Sequence, residues 1–390
     1  MKIGIDKIGF FTPNLYLDMN QLALNREVEP EKFTIGIGQE KMAVSPITQD
    51  PVTLAANAAL KILNDDDKSD IDLVMFGTES GIDHSKSAGV YVHHLLGLNS
   101  SARTVELKQA CYGATAALQL AKGHIALNPE SKVLVLASDI ARYGLQTSGE
   151  ATQGAGAVAM LISANPKIMT LEDKSTYLTA DIMDFWRPTY SEEAFVDGKY
   201  SNEQYINFFQ KVWQQYKKET ELRLEDFTAI CYHLPYTKMG LKALRTVIED
   251  GSKETQERLL DNFEISKTYN KNVGNIYTGS LYLSLLSLLE HQANLESGDR
   301  IGLYSYGSGA VGEFFSGILQ PCFKDYLQKE AHEKLLTSRK ELSVSEYEEV
   351  FLKTLPIDGS TVELDVGQDP AEICVAGIKG HMRQYINKKQ

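Results

Sequence analysis

Cysteine is scarce in this sequence and scattered where it occurs. Cys111, Cys231, Cys322 and Cys374 are the only four in 390 residues, with no CxxC pair and no histidine at metal-ligand spacing, which argues against a structural zinc site and against a disulfide framework. In a reducing compartment such cysteines are mostly inert core residues, unless the surroundings of one of them say otherwise. No stretch of about 18 unbroken apolar residues occurs, so no segment reads as a membrane span. The opening MKIGIDKIGFFTP lacks the apolar run and small-residue cleavage site of a secretory leader, and the chain is expected in the cytoplasm. Low-complexity tracts and short repeats are missing too. Positive charge is in deficit: 39 Lys and Arg against 52 Asp and Glu leave a formal net charge of -13. Nucleic acid or an anionic membrane would meet a repulsive average field, so neither is an expected partner. Any anionic ligand must be held by a local cluster of Lys and Arg.

What is present is the mix of a folded protein, 43% hydrophobic and 23% charged, at a length that suits two ordinary domains or one large duplicated unit. Short apolar, β-branched runs at 73–76, 133–137, 157–162, 229–232 and 301–304 predict buried strands. Helical patterns lie between them, notably 52–63 behind Asp50-Pro51, 114–127 and 280–295. The last two are too apolar for surface helices and are expected inside the molecule. The alternation is that of an α/β protein. Each half has a strand, a sharp polar or glycine-rich turn and a buried helix, which predicts a duplicated architecture with its join near Asn165-Pro166, halves 1–165 and 166–390. The segment 184–225, rich in Tyr, Phe, Trp and charge, reads as inserted loops and amphipathic helix of the sort that lines a site or an interface. The pattern at 325–349 predicts a solvated outer helix.

Chemistry-bearing residues sit where strands end. In Glu106-Leu107-Lys108-Gln109-Ala110-Cys111-Tyr112-Gly113 a strand stops before Cys111 and small residues open a helix. A thiol at a helix N-terminus has a lowered pKa and suits thioester exchange; a buried cysteine at a tight helix–sheet contact is the other reading. Glu79, in Gly77-Thr78-Glu79-Ser80, follows a buried strand, where an acid is expensive unless bonded, paired or protonated. It is either a general base or a surface carboxylate just past a strand end. His233 ends the run Ile230-Cys231-Tyr232 and is cut off by Pro235. It could donate to an oxyanion or shuttle a proton, or be a core histidine bonded to a carbonyl. Lys238 and Lys242, four apart, meet ligand phosphates or form a solvated face. Asn275 in Val273-Gly274-Asn275, and Ser308 in Gly307-Ser308-Gly309, sit beside glycines that let a backbone N–H approach a ligand closely.

Taken together, these segments resemble the 3-hydroxy-3-methylglutaryl-CoA synthase family, a branch of the thiolase-like condensing enzymes. The likeness runs from about Ile3 to the C-terminus through FTIGIGQEKM at 33–42, GTES at 77–80 with Lys86-Ser87, ACYGATAA at 110–117, ASDIARY at 137–143, QGAGAVAML at 153–161, FVDGKYS at 195–201, YHLPYTK at 232–238 and YSYGSGA at 304–310. It implies a five-layered αβαβα core from two similar halves, the first carrying Glu79 and Cys111, the second His233 and Asn275. It also implies condensation of acetyl-CoA with acetoacetyl-CoA in the mevalonate pathway, with no cofactor and no metal, by a homodimer whose edge strands pair. Cys111 would carry the acetyl group, and the amides of Cys111 and Ser308 would face the oxyanion. Glu79 would take a methyl proton, while His233, assisted by Asn275, would polarise and protonate the acceptor ketone. Asp139, Asp184 and Phe185 would orient these groups. Tyr143, Thr152, Ser201, Lys238 and Lys242 would lie along acyl chain, pantetheine or phosphates.

The chemistry separates this family from its relatives. Decarboxylating ketoacyl synthases make their carbanion by losing CO2, and thiolases use a second cysteine as base; a carboxylate at Glu79 suits removal of a proton from an unactivated acetyl group. The chain ends without the C-terminal helical insertions of the animal enzymes, so the likeness is to the bacterial type. Gly149-Glu150-Ala151-Thr152 also departs from the proline-containing version of the animal branch. Two further readings stay in view: a family member that takes its acyl groups from acyl carrier protein in polyketide β-branching, and an inactive scaffold of the same fold.

Overall fold

The structure is a computed structural model that describes residues 1–191 and 193–389. Strands Ile71–Gly77, Lys132–Ala141 and Gly154–Ala164 are buried along nearly their whole length, because helices cover both of their faces. One set of side chains, including Met75, Val135, Ala137 and Met160, meets the inward helices Gly113–Leu127 and Ser280–His291. The alternate set, including Val74, Phe76, Leu134 and Leu136, packs on helices Pro51–Ile62 and Ala88–Leu96. The period of two along each strand thus sorts residues into two cores.

Strands of the second half do the same. Cys231, Ile301, Leu303 and Phe315 join the inner core, while Ile230, Tyr232, Tyr304, Tyr306 and Phe314 pack outward against helix Gly198–Thr220. The succession is helices, half-sheet, two buried helices, half-sheet, helices: five layers.

Duplication is visible in the topology. In the first half the order is Ile3–Phe11, Gly154–Ala164, Lys132–Ala141, Ile71–Gly77, Arg103–Leu107; in the second it is Met169–Thr179, Val311–Leu319, Arg300–Gly307, Ala229–Tyr232. Each series begins with two antiparallel pairings and continues with a parallel one. The half-sheets are hydrogen-bonded into one nine-stranded array through just two residue pairs, Gly4↔Thr170 and Ile5↔Met169.

The predicted strands and helices are present, with ends moved by a few residues; the helix expected over 280–295 stops at His291. Within 184–225 lie two short paired strands, Phe185–Trp186 and Phe195–Val196, and the helix Gly198–Thr220. That helix buries Tyr205, Phe208, Phe209, Val212, Trp213 and Tyr216 as an outer layer of the second half-sheet. The single solvated helix expected over 325–349 is not what forms. Helix Lys329–Thr337, strand Lys340–Glu341 and helix Val344–Leu352 follow one another, with His332, Arg339 and Tyr347 buried. Charge pattern alone hid this, because the buried groups are themselves polar: His332 accepts the Phe10 N–H at 3.3 Å and faces Glu290 at 2.8 Å. Among the described residues no helix is long and apolar enough to cross a membrane.

Candidate active site

Cys111 is presented by a strained turn between strand Arg103–Leu107 and helix Gly113–Leu127. Ala110, just before it, has φ 43°, a conformation that costs a side-chain-bearing residue about 1–3 kcal/mol and persists only where the surroundings enforce it. Those surroundings are the ends of two strands, one from each half. A Cβ on Gly77 would stand 2.6 Å from the Ala114 nitrogen, and one on Gly307 would stand 2.5 Å from the Gln109 carbonyl and 2.6 Å from the Tyr112 nitrogen. Only glycine permits either approach. Gln109 Nε2 donates to the Ser308 carbonyl at 3.2 Å, and the Tyr112 hydroxyl donates to Glu313 at 2.7 Å. The nucleophile's turn is therefore clasped by the second half.

The Cys111 thiol donates to Glu79 Oε1 at 3.0 Å. Burial, and then the Asp139 carboxylate, push Glu79 up to about 8, against the pull of the Cys111 hydrogen bond and the Arg187 guanidinium. Arg187 also donates to the Glu79 carbonyl oxygen. The thiol itself is raised well above its ordinary value by burial and then by Glu79, with Asp139 and Asp184 adding to the rise. The expectation of a thiol lowered by a helix N-terminus is thus overturned. Cys111 precedes the cap residue Tyr112, and three carboxylates outweigh the weak field of the helix end.

Asp139 holds the Glu79 turn. It accepts from the Glu79 and Ser80 amides at 2.9 and 3.0 Å, from the Thr78 hydroxyl at 2.9 Å, and from the Thr278 amide and hydroxyl at 3.1 and 2.6 Å. Burial raises its pKa, and these donors oppose the rise. Asp184 does the corresponding work on the second-half turn, accepting from the Gly309 amide at 2.8 Å, the Tyr306 hydroxyl at 2.9 Å and Ser201 at 3.2 Å.

Asn275 is fixed by its own turn: its Oδ1 accepts from the Tyr277 amide and the Ser280 hydroxyl, both at 2.9 Å, which aims Nδ2 at the Tyr143 hydroxyl 3.4 Å away. Gly274 has φ 90°, and a Cβ there would lie 2.1 Å from the Gln153 carbonyl. Tyr143, Phe185 and Tyr277 meet edge to face with centroids 5.9–6.0 Å apart. Burial raises the Tyr143 hydroxyl, and the charges of Cys111 and Glu79 raise it further, so the hydroxyl lies within their field.

His233 continues strand Ala229–Tyr232. Its amide donates to the Tyr304 carbonyl at 2.8 Å, and its carbonyl accepts from the Tyr205 hydroxyl at 2.7 Å. Burial pulls its imidazole down to about 3, so the ring is neutral. Among the described residues it makes no hydrogen bond to Cys111 or Glu79.

The remaining sequence-predicted residues divide. Thr152 touches the site through its carbonyl, which accepts the Asn275 amide at 3.2 Å; Ser201 touches it through Asp184. Lys238 and Lys242 lie on helix Thr237–Arg245, outside these contacts, with Lys242 exposed and donating to the Tyr236 hydroxyl at 2.8 Å. Sequence reasoning missed Arg187, Tyr277, Thr278 and Gln153. Tyr277 and Thr278 stand two and three places beyond Asn275, and the left-handed φ of 45° at Tyr277 has no sequence signal. Among the described residues no cluster of three or more His, Cys, Asp or Glu could hold a metal ion.

Two duplicated half-sheets clasping a cysteine against a carboxylate define a thiolase-like condensing enzyme. Family models described as hydroxymethylglutaryl-coenzyme A synthase N terminal and C terminal match residues 1–167, and 170–265 with 252–355. A hydroxymethylglutaryl-CoA synthase of Enterococcus faecalis is 54% identical over 99% of this chain and 100% of its own. A crystal structure of an HMG-CoA synthase complexed with CoA superposes with a TM-score of 0.97 at 46% identity, covering 99% of this chain and 100% of that one. The polyketide-biosynthesis 3-hydroxy-3-methylglutaryl-ACP synthase PksG of Bacillus subtilis is 34% identical over 89% of this chain and 87% of its own. The chain belongs to the hydroxymethylglutaryl-coenzyme A synthase family.

Proposed function

We propose that this enzyme condenses acetyl-CoA with acetoacetyl-CoA and water to give 3-hydroxy-3-methylglutaryl-CoA and CoA, in the cytoplasm, as a step of the mevalonate route. The contact between Cys111 and Glu79 carries the reading. A thiol with a raised pKa is a poor nucleophile alone, but a carboxylate with a pKa of about 8 is a strong enough base to take its proton as sulfur attacks the acetyl carbonyl. That proton leaves with CoA, and Glu79 is again a base when the acetyl methyl must be deprotonated. The amides of Cys111 and Ser308 face the enolate oxygen. The enolate carbon adds to the ketone of acetoacetyl-CoA. A His233 pulled down to about 3 has no spare proton to give, so it polarises the ketone as a neutral N–H donor beside Asn275, and Glu79 returns its proton to the new alkoxide. Water then releases the product from Cys111. Asp139, Asp184 and Phe185 set the geometry; Tyr143 and Thr152 line the acyl end, with Ser201, Lys238 and Lys242 toward pantetheine and phosphates. These steps use CoA thioesters and side chains, with no cofactor or metal.

We further propose that the halves meet at 165/166 and that two chains pair through strand Arg103–Leu107. Among the described residues that strand ends the sheet with one edge open, and Val105 on it is 44% exposed; such an edge favours strand addition. Light scattering on the purified chain would read the dimer. Mixing the enzyme with both CoA esters should consume the acetoacetyl-CoA enolate absorbance. Turnover only with a loaded carrier protein would instead support the β-branching reading.

A further inference from the structure

The connection from Arg142 to Gln153 joins strands Lys132–Ala141 and Gly154–Ala164 and carries Tyr143, whose hydroxyl accepts from Asn275 at 3.4 Å and whose ring meets Phe185 and Tyr277. Its own hydrogen bonds are short-range, such as Thr147 Oγ1 to the Tyr143 carbonyl at 2.9 Å, Gly144 has φ 91°, and its regular structure is one turn, Glu150–Thr152. It is further held from outside by helix Val344–Leu352, in the segment whose charge pattern predicts a solvated surface. The Tyr347 hydroxyl, on a side chain 1% exposed, accepts from Gln153 Nε2 at 2.9 Å and donates to Glu150 Oε1 at 3.2 Å. Gln153 in turn accepts the Tyr143 amide at 2.7 Å, and Glu150 accepts the Gln146 amide at 3.0 Å. Arg26 bonds Glu150 at 2.8 Å and Glu348 at 2.6 Å, and Arg142 donates to the Phe351 carbonyl at 2.6 Å with its guanidinium 4.0 Å over that ring.

We propose that Tyr347 is a positioning residue for the condensation, acting through Gln153 on Tyr143. A phenol gives one proton and offers lone pairs, which is what Glu150 and Gln153 need here. Removing the hydroxyl takes the acceptor from Gln153 Nε2 inside a buried network, while Glu150 keeps its Arg26 and Gln146 donors, and the network relaxes by moving the Gln153–Tyr143 link. Tyr143 touches Asn275, Phe185 and Tyr277, so the displacement reaches the acyl pocket, where small misplacements are costly in rate.

The inference rests on the condensing reading, and the test separates the two. Wild-type protein that takes up no acetyl group from acetyl-CoA sinks the condensing reading. The positioning role is read independently of turnover by fluorotyrosine NMR, with the Tyr143 resonance assigned by its loss in Tyr143→Phe. In Tyr347→Phe that resonance should shift, with a fall of a few degrees in the unfolding midpoint; an unmoved resonance overturns the proposal. With active wild type, kcat per acetylatable Cys111 should fall roughly tenfold in Tyr347→Phe, with a smaller change in KM for acetoacetyl-CoA. In a Tyr143→Ala background the same change should cost less than about twofold, because the residue it acts through is gone. An equal loss in both backgrounds marks a purely structural role and also overturns the proposal.

Discussion

The sulfur of Cys111 lies 3.0 Å from Oε1 of Glu79, and the thiol is the donor. The two groups therefore titrate as a pair, with the carboxyl raised to about 8. Since the base form is needed, kcat/KM for acetyl-CoA should rise with pH and level off above about 8. His233 should add no limb near neutrality, because it is already neutral above about 3. Arg187 pulls Glu79 down, so Arg187→Gln should carry the acid limb to higher pH. A wild-type limb near 6.5 would place control in a histidine and contradict this assignment.

The same shifts predict opposite pH effects on stability. Glu79 rises from 4.5 to about 8 on folding, so between those values the native chain holds a proton that the unfolded chain has lost. Its stabilising contribution is whole below 4.5 and falls as pH climbs to about 8. Glu79→Gln should therefore gain in melting temperature over wild type as pH is raised across this window. His233 drops from 6.5 to about 3; its contribution is whole above 6.5 and is lost as pH falls, so His233→Asn should flatten the acid side of the curve. Melting scans from acid to mildly alkaline pH check both directions.

Asp184 is fully buried and takes three donors, two of them from the Tyr306–Gly309 turn. Asp184→Ala leaves those donors unpaired, at a cost of about 2–3 kcal/mol in denaturant unfolding. It should also lower kcat more than it raises KM, since the turn it releases faces Cys111.

Gly274 stands at φ 90° with the Gln153 carbonyl where a methyl would go. Gly274→Ala should destabilise by about 2 kcal/mol or more and shift Asn275, cutting kcat at least tenfold. If unfolding and turnover both stay at wild-type levels, the tight approach of the two halves has no role in setting Asn275.

Local patterning in the sequence determined much of this protein. Apolar runs such as LVMF at 73–76 and AVAMLI at 157–162 read as strands because buried strands carry apolar residues on both faces; ACYGATAA read as a close helix contact because its residues are small; Glu79 and His233 stood out because each follows a buried strand, and Cys111 because a strand stops before it and small residues open a helix. Those are properties of a few consecutive residues, and the motif likeness joined them into one activity. Only the tertiary structure decided the electrostatics and the bracing. Whether the Cys111 thiol is lowered by a helix end or raised by Glu79, Asp139 and Asp184 depends on charges from distant parts of the chain. Likewise the Tyr347 helix reads as solvent-facing until Glu150 and Gln153, nearly 200 positions away, are folded against it. Hydrophobic period reports which way a side chain faces; a pKa or a buried hydrogen bond depends on which other groups arrive there, and that is settled only when the halves close.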